Sequence, residues 1–303
     1  MTRPHNITVR IYKENEESNP VKTIKCGTDS FDYCTFVFSE ISDRGIYDVE
    51  VDVTDISTEV MLSKRINKLI TVTPALANKE DAIVYLMPDA KKVGGSQTWI
   101  WDGSDIPAGS TVILKYDPKY GEKYPMRFRM VNFSGTWEKP IIITIDTEEP
   151  FEWNWYYWFG WYMDNCHHIV IDGRGYNNLT KGIKLKPMQE FANICIQIGG
   201  LSDEIEIFEV EINGADFAGV MCKTDPDVNH PETWYDNFRF NRFLFHHCYV
   251  HDTTGEGNYL GHYASGWYEG QNSEGEVVKY RAHHLYNCRI YRNIYENQGY
   301  DNF

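Results

Sequence analysis

The chain has 303 residues and a formal net charge of −15, from 44 acidic against 29 basic side chains. With 42% hydrophobic and 24% charged residues it is globular rather than disordered, and no run approaches the roughly 20 apolar residues of a membrane helix. The acidic excess disfavours general nucleic-acid binding, which needs a basic surface. Residues 1–13 carry charge but no apolar h-region, so no signal peptide is visible. That leaves a cytoplasmic protein, a phage protein, or an exported one whose signal has been removed.

The first segment reads as all-β. Ile7-Thr-Val-Arg-Ile11, Tyr47-Asp-Val-Glu-Val-Asp-Val53 and Leu69-Ile-Thr-Val72 alternate apolar with polar residues, the period-two signature of strands with one face in water. Turn signals at 16–20, 27–30 and 42–45 separate the runs and predict a small β-sandwich. Cys26 and Cys34 flank a turn and could bridge a hairpin in an oxidising compartment. The other five of the seven cysteines lie in apolar strand patterns, where Cys behaves as a small hydrophobe, and no CxxC spacing suggests zinc. Arg44-Gly-Ile-Tyr-Asp-Val-Glu-Val-Asp-Val-Thr-Asp55, followed by Lys68-Leu-Ile-Thr-Val-Thr-Pro74, resembles the last strands of a PKD or other immunoglobulin-like module, which implies a spacer or binding appendage over residues 1–74.

Residues 75–95 read as a connector. From residue 96 the texture changes to short apolar runs, each closed by glycine or a polar turn, with no sustained 3.6 period. Examples are Thr111-Val-Ile-Leu114, Pro140-Ile-Ile-Ile-Thr-Ile145 and His168-Ile-Val-Ile-Asp-Gly173. Three segments beginning at Phe208, His246 and Tyr286 align, with Val210, Cys248 and Cys288 in one inward slot and Ile212, Val250 and Ile290 in another. Such self-similarity marks a solenoid, and the insertions at 225–237 and 263–279 become long loops on one side.

Ile106-Pro-Ala-Gly-Ser-Thr-Val-Ile-Leu114, Gly135-Thr-Trp-Glu-Lys-Pro-Ile-Ile-Ile143 and His168-Ile-Val-Ile-Asp-Gly173 resemble the right-handed parallel β-helix, or pectin-lyase-like, superfamily. Gly255-Glu-Gly-Asn-Tyr-Leu-Gly261 is similar to a turn of uncharacterised secreted bacterial proteins of that type, and Gly299-Tyr-Asp-Asn-Phe303 resembles the turn of a further coil. The expected architecture is therefore all-β: a small N-terminal β-sandwich, then a right-handed parallel β-helix solenoid over 96–303. The pattern still repeats at Phe303, so the chain is expected to be a fragment, or to be covered there by more C-terminal coils or a capping chain.

The resemblance implies polysaccharide lyases, glycoside hydrolases, esterases and phage tailspikes, among which a fold does not choose. The polygalacturonase and pectate-lyase signatures are absent, as is any serine nucleophile motif. Glu256 and Asp301 are the first catalytic candidates: stacked about 4.8 Å apart on successive coils, two carboxylates would split their pKa values into an acid and a base. His251 with Asp252 is the second, and His247 beside it is a further outward base. Arg281, Arg289 and Arg292, with Arg239, Arg242 and Lys279, form a basic set suited to a uronate carboxylate. Calcium (Ca2+) binding would fall to Asp225, Asp227 and Asp236, though without EF-hand spacing. Residues 151–162 hold nine aromatics, of which Trp155, Trp158 and Trp161 are read as a sugar-stacking platform. These features predict secreted or cell-surface recognition and depolymerisation of a polysaccharide, the alternative being a non-catalytic carbohydrate binder, adhesin or tailspike-like protein.

Overall fold

A computed structural model describes residues 5–28, 41, 44–87, 98–116, 127–156, 158–188, 193–262 and 267–301. Contacts divide the chain into two compact units, residues 1–75 and 76–303. Among the described residues every long element is a strand, and no helix is long and apolar enough to cross a membrane. The Cys26–Cys34 pairing lies outside the described residues.

In the first unit the alternating runs form one antiparallel sheet, ordered Lys22–Thr28, His5–Lys13, Gly45–Asp55, Met61–Val72. Ile7, Val9 and Val49 bury one face, as the alternation requires. The described residues supply this single sheet; the second layer of the expected sandwich is not among them.

Among the described residues the second unit holds three large parallel sheets and a two-stranded one, Phe240–Asn241 with Leu285–Tyr286. Sheet I has seven strands: Ile83–Met87, Thr111–Tyr116, Ile141–Ile145, His167–Asp172, Asp203–Phe208, Phe243–His246 and Arg289–Tyr291. Sheet II has five: Phe151–Trp155, Ile183–Pro187, Val210–Asn213, Tyr249–His251 and Ile294–Glu296. Sheet III has six: Thr98–Asp102, Arg127–Val131, Phe159–Asp164, Ile194–Gly199, Ala218–Cys222 and Glu256–Leu260. From Ile141 onward the chain visits I, II, III and returns to I beside the strand it left. The stretch read as a connector thus already contributes a sheet I strand, Ile83–Met87, paired in parallel with Thr111–Tyr116.

One apolar core is shared by all three sheets. Ile141, Ile169, Ile205 and Phe243 stack in register on sheet I, as do Ile143, Ile171, Ile207 and Phe245. Burying such a side chain contributes roughly 1.5–3 kcal/mol relative to leaving it exposed. Corners between sheets are turned by single residues with positive φ: Glu209, His247 and Arg292 between sheets I and II, Asp252 and Asn297 between II and III. Asn and Asp tolerate this region best, which accounts for two of the five. The glycines of the 255–261 and 299–303 motifs allow close approach instead: a Cβ on Gly255 would lie 2.0 Å from Phe217 O, and one on Gly299 would lie 1.9 Å from Thr254 O.

The repeat alignment holds for two copies and shifts in the third. Ala218 pairs with Glu256 and Ile212 with Val250, as expected. Val250 then pairs with Tyr295, while Ile290 pairs with Phe245 on sheet I. The third copy is displaced because Tyr286-Asn-Cys mimics His246-His-Cys in composition, whereas Tyr291 is the residue in register with His246. The two insertions pack on one another rather than leaving as separate loops. A hairpin of Tyr268–Gln271 and Val277–Tyr280 stacks Tyr280 on Trp234, with ring centroids 5.3 Å apart.

Candidate functional site

The outer face of sheet II carries polar groups in register along successive strands. Alternation sends Trp153, Leu185, Ile212 and Val250 into the core and leaves two outward rows. One row is Glu152, Lys184, Glu211, Tyr249 and Ile294; the other is Asn154, Lys186, Asn213, His251 and Glu296.

His251 is the centre of this face. Its Nδ1 lies 2.7 Å from Asp252 Oδ2 and its Nε2 lies 3.4 Å from Glu211 Oε1. Glu211 is also held by Lys184, Nζ to Oε2 at 2.8 Å. The short contact orients the ring, with Nδ1 toward the half-exposed Asp252 and Nε2 toward the largely covered Glu211 carboxylate. Donation from the Asn297 amide, reinforced by His251, holds the Asp252 carboxyl below its usual range. The ring of Tyr249 stacks on His251 at 4.1 Å between centroids. Its hydroxyl donates to Glu296 Oε2 at 2.5 Å, and this carboxylate contact pushes the phenol up to about 12. An imidazole oriented by a carboxylate is a proton acceptor, and a neutral phenol is a proton donor. Both project from one strand on the outer face of sheet II, where Tyr249 is half-buried and His251 is 9% exposed.

The other candidates distribute over different faces. Glu256 begins a sheet III strand on the outward side, in the row of Phe159, Ile194 and Ala218. Gly257 N–H donates to Asp301 O at 3.0 Å and Tyr300 N–H to Gly255 O at 3.2 Å, so the main chains carrying Glu256 and Asp301 run side by side. Arg289 lies on sheet I beside Leu244, its guanidinium over Tyr291. Arg292 occupies the corner next to His247. Arg281 sits on the packed insertions between the rings of Tyr235 and Trp267, facing Asp236 at 3.5 Å. The basic set is therefore not one patch, and Lys279 and Arg242 pair with Glu269 and Glu204.

Two tryptophan assignments are corrected. Trp155 and Trp161 are fully buried in the shared core, so neither ring can stack on a sugar. Strand alternation places them at inward positions, where Trp161 is in register with Phe128 and Ile196. Trp158, which ends no strand and turns outward at φ 58°, is 60% exposed.

The calcium candidates do not converge. Asp225 pairs with Lys223, Asp227 accepts the Asn229 N–H, and Asp236 faces Arg281. Among the described residues no group of three or more His, Cys, Asp or Glu side chains is placed to hold a metal ion.

Sequence reasoning missed Glu211, Tyr249 and Glu296. Their signal was period-two alternation: Glu211 brackets Ile212 with Asn213, and Tyr249 brackets Val250 with His251. His246 and His247 also depart from strand alternation, which turns successive side chains to opposite faces: they touch, Nδ1 to Nδ1 at 2.8 Å, because His247 leaves the strand through positive φ. Comparison with known protein families, with curated proteins and with solved structures finds no match to this chain. The all-β class and the parallel sheets are thus established by the molecule itself, and they are compatible with a β-helix-like fold.

Proposed function

We propose that this chain recognises and depolymerises a polysaccharide outside the cell, using a right-handed parallel β-helix that follows an immunoglobulin-like β-sandwich module. Support for the fold is the cyclic return of the chain to each parallel sheet. Support for the chemistry is the juxtaposition of His251, oriented by Asp252, with the Tyr249 phenol on the outer face of sheet II. A linear polymer lying across successive strands would meet both.

In this reading His251 Nε2 takes a proton from the sugar or from an attacking water, and Asp252 stabilises the resulting imidazolium. Tyr249 gives its proton to the departing glycosidic oxygen. Lys184, in the row of Tyr249, and Lys186, in the row of His251, neutralise acidic substituents. Glu256 and Asp301 remain a second carboxylate pair for hydrolysis, supported by their adjacent main chains. The exposed rings of Trp158 and Trp267 support a second reading, a carbohydrate binder without catalysis.

Digests of neutral and uronate polysaccharides separate the readings. A rise in absorbance near 235 nm together with reducing ends means β-elimination, and reducing ends alone mean hydrolysis. His251→Ala is expected to lower either rate about 10²–10⁴-fold. Full activity in that variant removes the sheet II face from the chemistry. Silence of the wild-type chain in both assays, with sugar retained on an affinity column, favours the binding reading.

A further inference from the structure

We propose that His247 is a surface proton acceptor whose Nε2 is kept bare by a buried Glu206–His246 relay, and that with Arg292 it forms a second site, for an anionic saccharide. The site lies at the corner between sheets I and II, apart from the His251 face. Its ligand class rests on the saccharide reading above; the proton relay does not.

Glu206 is 1% exposed on the outer face of sheet I, and its Oε1 lies 3.3 Å from His246 Nε2. His246 is clamped between the rings of Phe208 and Tyr291, with centroids 4.9 and 4.8 Å away and planes within 6° and 15°. With Glu206 as the acceptor of this contact, His246 Nε2–H is the donor. A neutral imidazole carries a single N–H, which leaves His246 Nδ1 as an acceptor. His247 Nδ1, 2.8 Å away, must then be the donor, and His247 Nε2 keeps its lone pair. An imidazolium at His246 would reverse this order, and the histidine tautomers report which one holds.

The corner around His247 is built from Glu209, Lys181 and Arg292. Glu209 and Arg292 stand in the same positive-φ position on the neighbouring circuits, and Lys181 Nζ binds Glu209 at 2.9 Å. Burial pushes the His247 imidazole below its ordinary value, and the Arg292 and Lys181 cations act in the same direction while Glu209 opposes it. No partner of His247 Nε2 or of the Arg292 guanidinium is found among the described residues. A bare imidazole nitrogen accepts a sugar hydroxyl, and a guanidinium fork takes a planar acid group on the same ligand. In a chain of net charge −15 such an anion must be held by local contacts.

Long-range proton–nitrogen NMR of the 15N-histidine-labelled full chain reads the relay directly. At pH 7.5 His246 is expected to carry its proton on Nε2 and His247 on Nδ1; a proton on His247 Nε2 overturns the relay. The double variant Glu206→Gln/His246→Phe keeps the ring stack without stranding a carboxylate. His247 should then revert to the Nε2–H form that free imidazole prefers, and retention of the Nδ1–H form also overturns the relay. A galacturonate oligomer is the ligand probe, and a neutral galactose oligomer is the control. The acidic oligomer should shift the His247 Nε2 resonance, and Arg292→Ala should weaken it about tenfold. An equal response to the neutral oligomer, or no loss in Arg292→Ala, overturns the anion site. Neither result touches the digests that test His251.

Discussion

His246 and His251 are five residues apart, and each meets a glutamate forty positions earlier, Glu206 and Glu211. Their surroundings differ completely. The first pair lies on sheet I, 3% and 1% exposed, under Phe208 and Tyr291. The second stands on the outer face of sheet II with Lys184 and Asp252 attached. The same two residue types are thus a fully covered element on one sheet and a partly covered one, linked to the exposed Asp252, on the next. What separates them is the row each histidine stands in: Phe208 and Tyr291 flank His246 on sheet I, whereas Asn213 and Glu296 flank His251 on sheet II, with the Tyr249 ring stacked on one side only.

The largest effect should follow from breaking the covered pair. Glu206→Ala strands the polar nitrogen of a buried imidazole and opens a cavity, and is expected to cost about 3 kcal/mol in urea unfolding. Glu211→Ala removes a contact that water can replace and should cost under about 1 kcal/mol, while lowering depolymerisation. Equal stability losses in the two variants would erase the distinction between the sheets.

A second covered histidine sharpens the comparison through pH. His283 is 2% exposed, its Nε2 accepts the Thr224 N–H at 2.9 Å, and its ring contacts Phe238. Burial pushes it down to about 4, with His262 and His284 adding to the shift. The unfolded chain, with an ordinary imidazole near 6.5, binds the proton more readily. Stability is therefore intact above about pH 6.5 and falls as the pH drops toward 4, by an amount on the order of 3 kcal/mol. His283→Gln, which keeps an acceptor for Thr224, should flatten that slope in unfolding measured at pH 7 and pH 4.5. An unchanged slope assigns the acid sensitivity elsewhere.

Much of the fold was legible in the sequence because apolar runs of four to six residues closed by turns admit few arrangements. The inward rows through Ile143, Ile171 and Ile207 are those runs. The alignment of Phe208 with His246 and of Ala218 with Glu256 was readable from composition alone. The site was less legible for two physical reasons. Partners such as His251 and Glu211 lie on different circuits, and local sequence does not give the offset between circuits once insertions intervene, as the displaced Tyr286 copy shows. Corner residues with positive φ also break strand alternation. Alternation therefore misplaced the His246–His247 rings, and could not by itself tell which tryptophans of residues 151–162 face inward.

Trp158 supplies the smallest effect and the sharpest contrast with its neighbours. Trp155 and Trp161 are buried, and truncating either to alanine should cost about 3–5 kcal/mol. Trp158 is 60% exposed and holds φ at 58°, a region that bulky side chains avoid. Its main chain is fixed there, since its carbonyl accepts the Ile194 N–H at 2.8 Å. A large aromatic kept in strained backbone with its ring in water contributes little to the core, so its value lies in what the ring contacts. Trp158→Gly relieves the strain and should leave stability unchanged or raise it by up to about 1 kcal/mol. Retention on a polysaccharide column should fall in the same variant. If stability drops by several kcal/mol, the ring is a packing element like its neighbours; if retention is unchanged, sugar stacking belongs to Trp267 or to none of these rings.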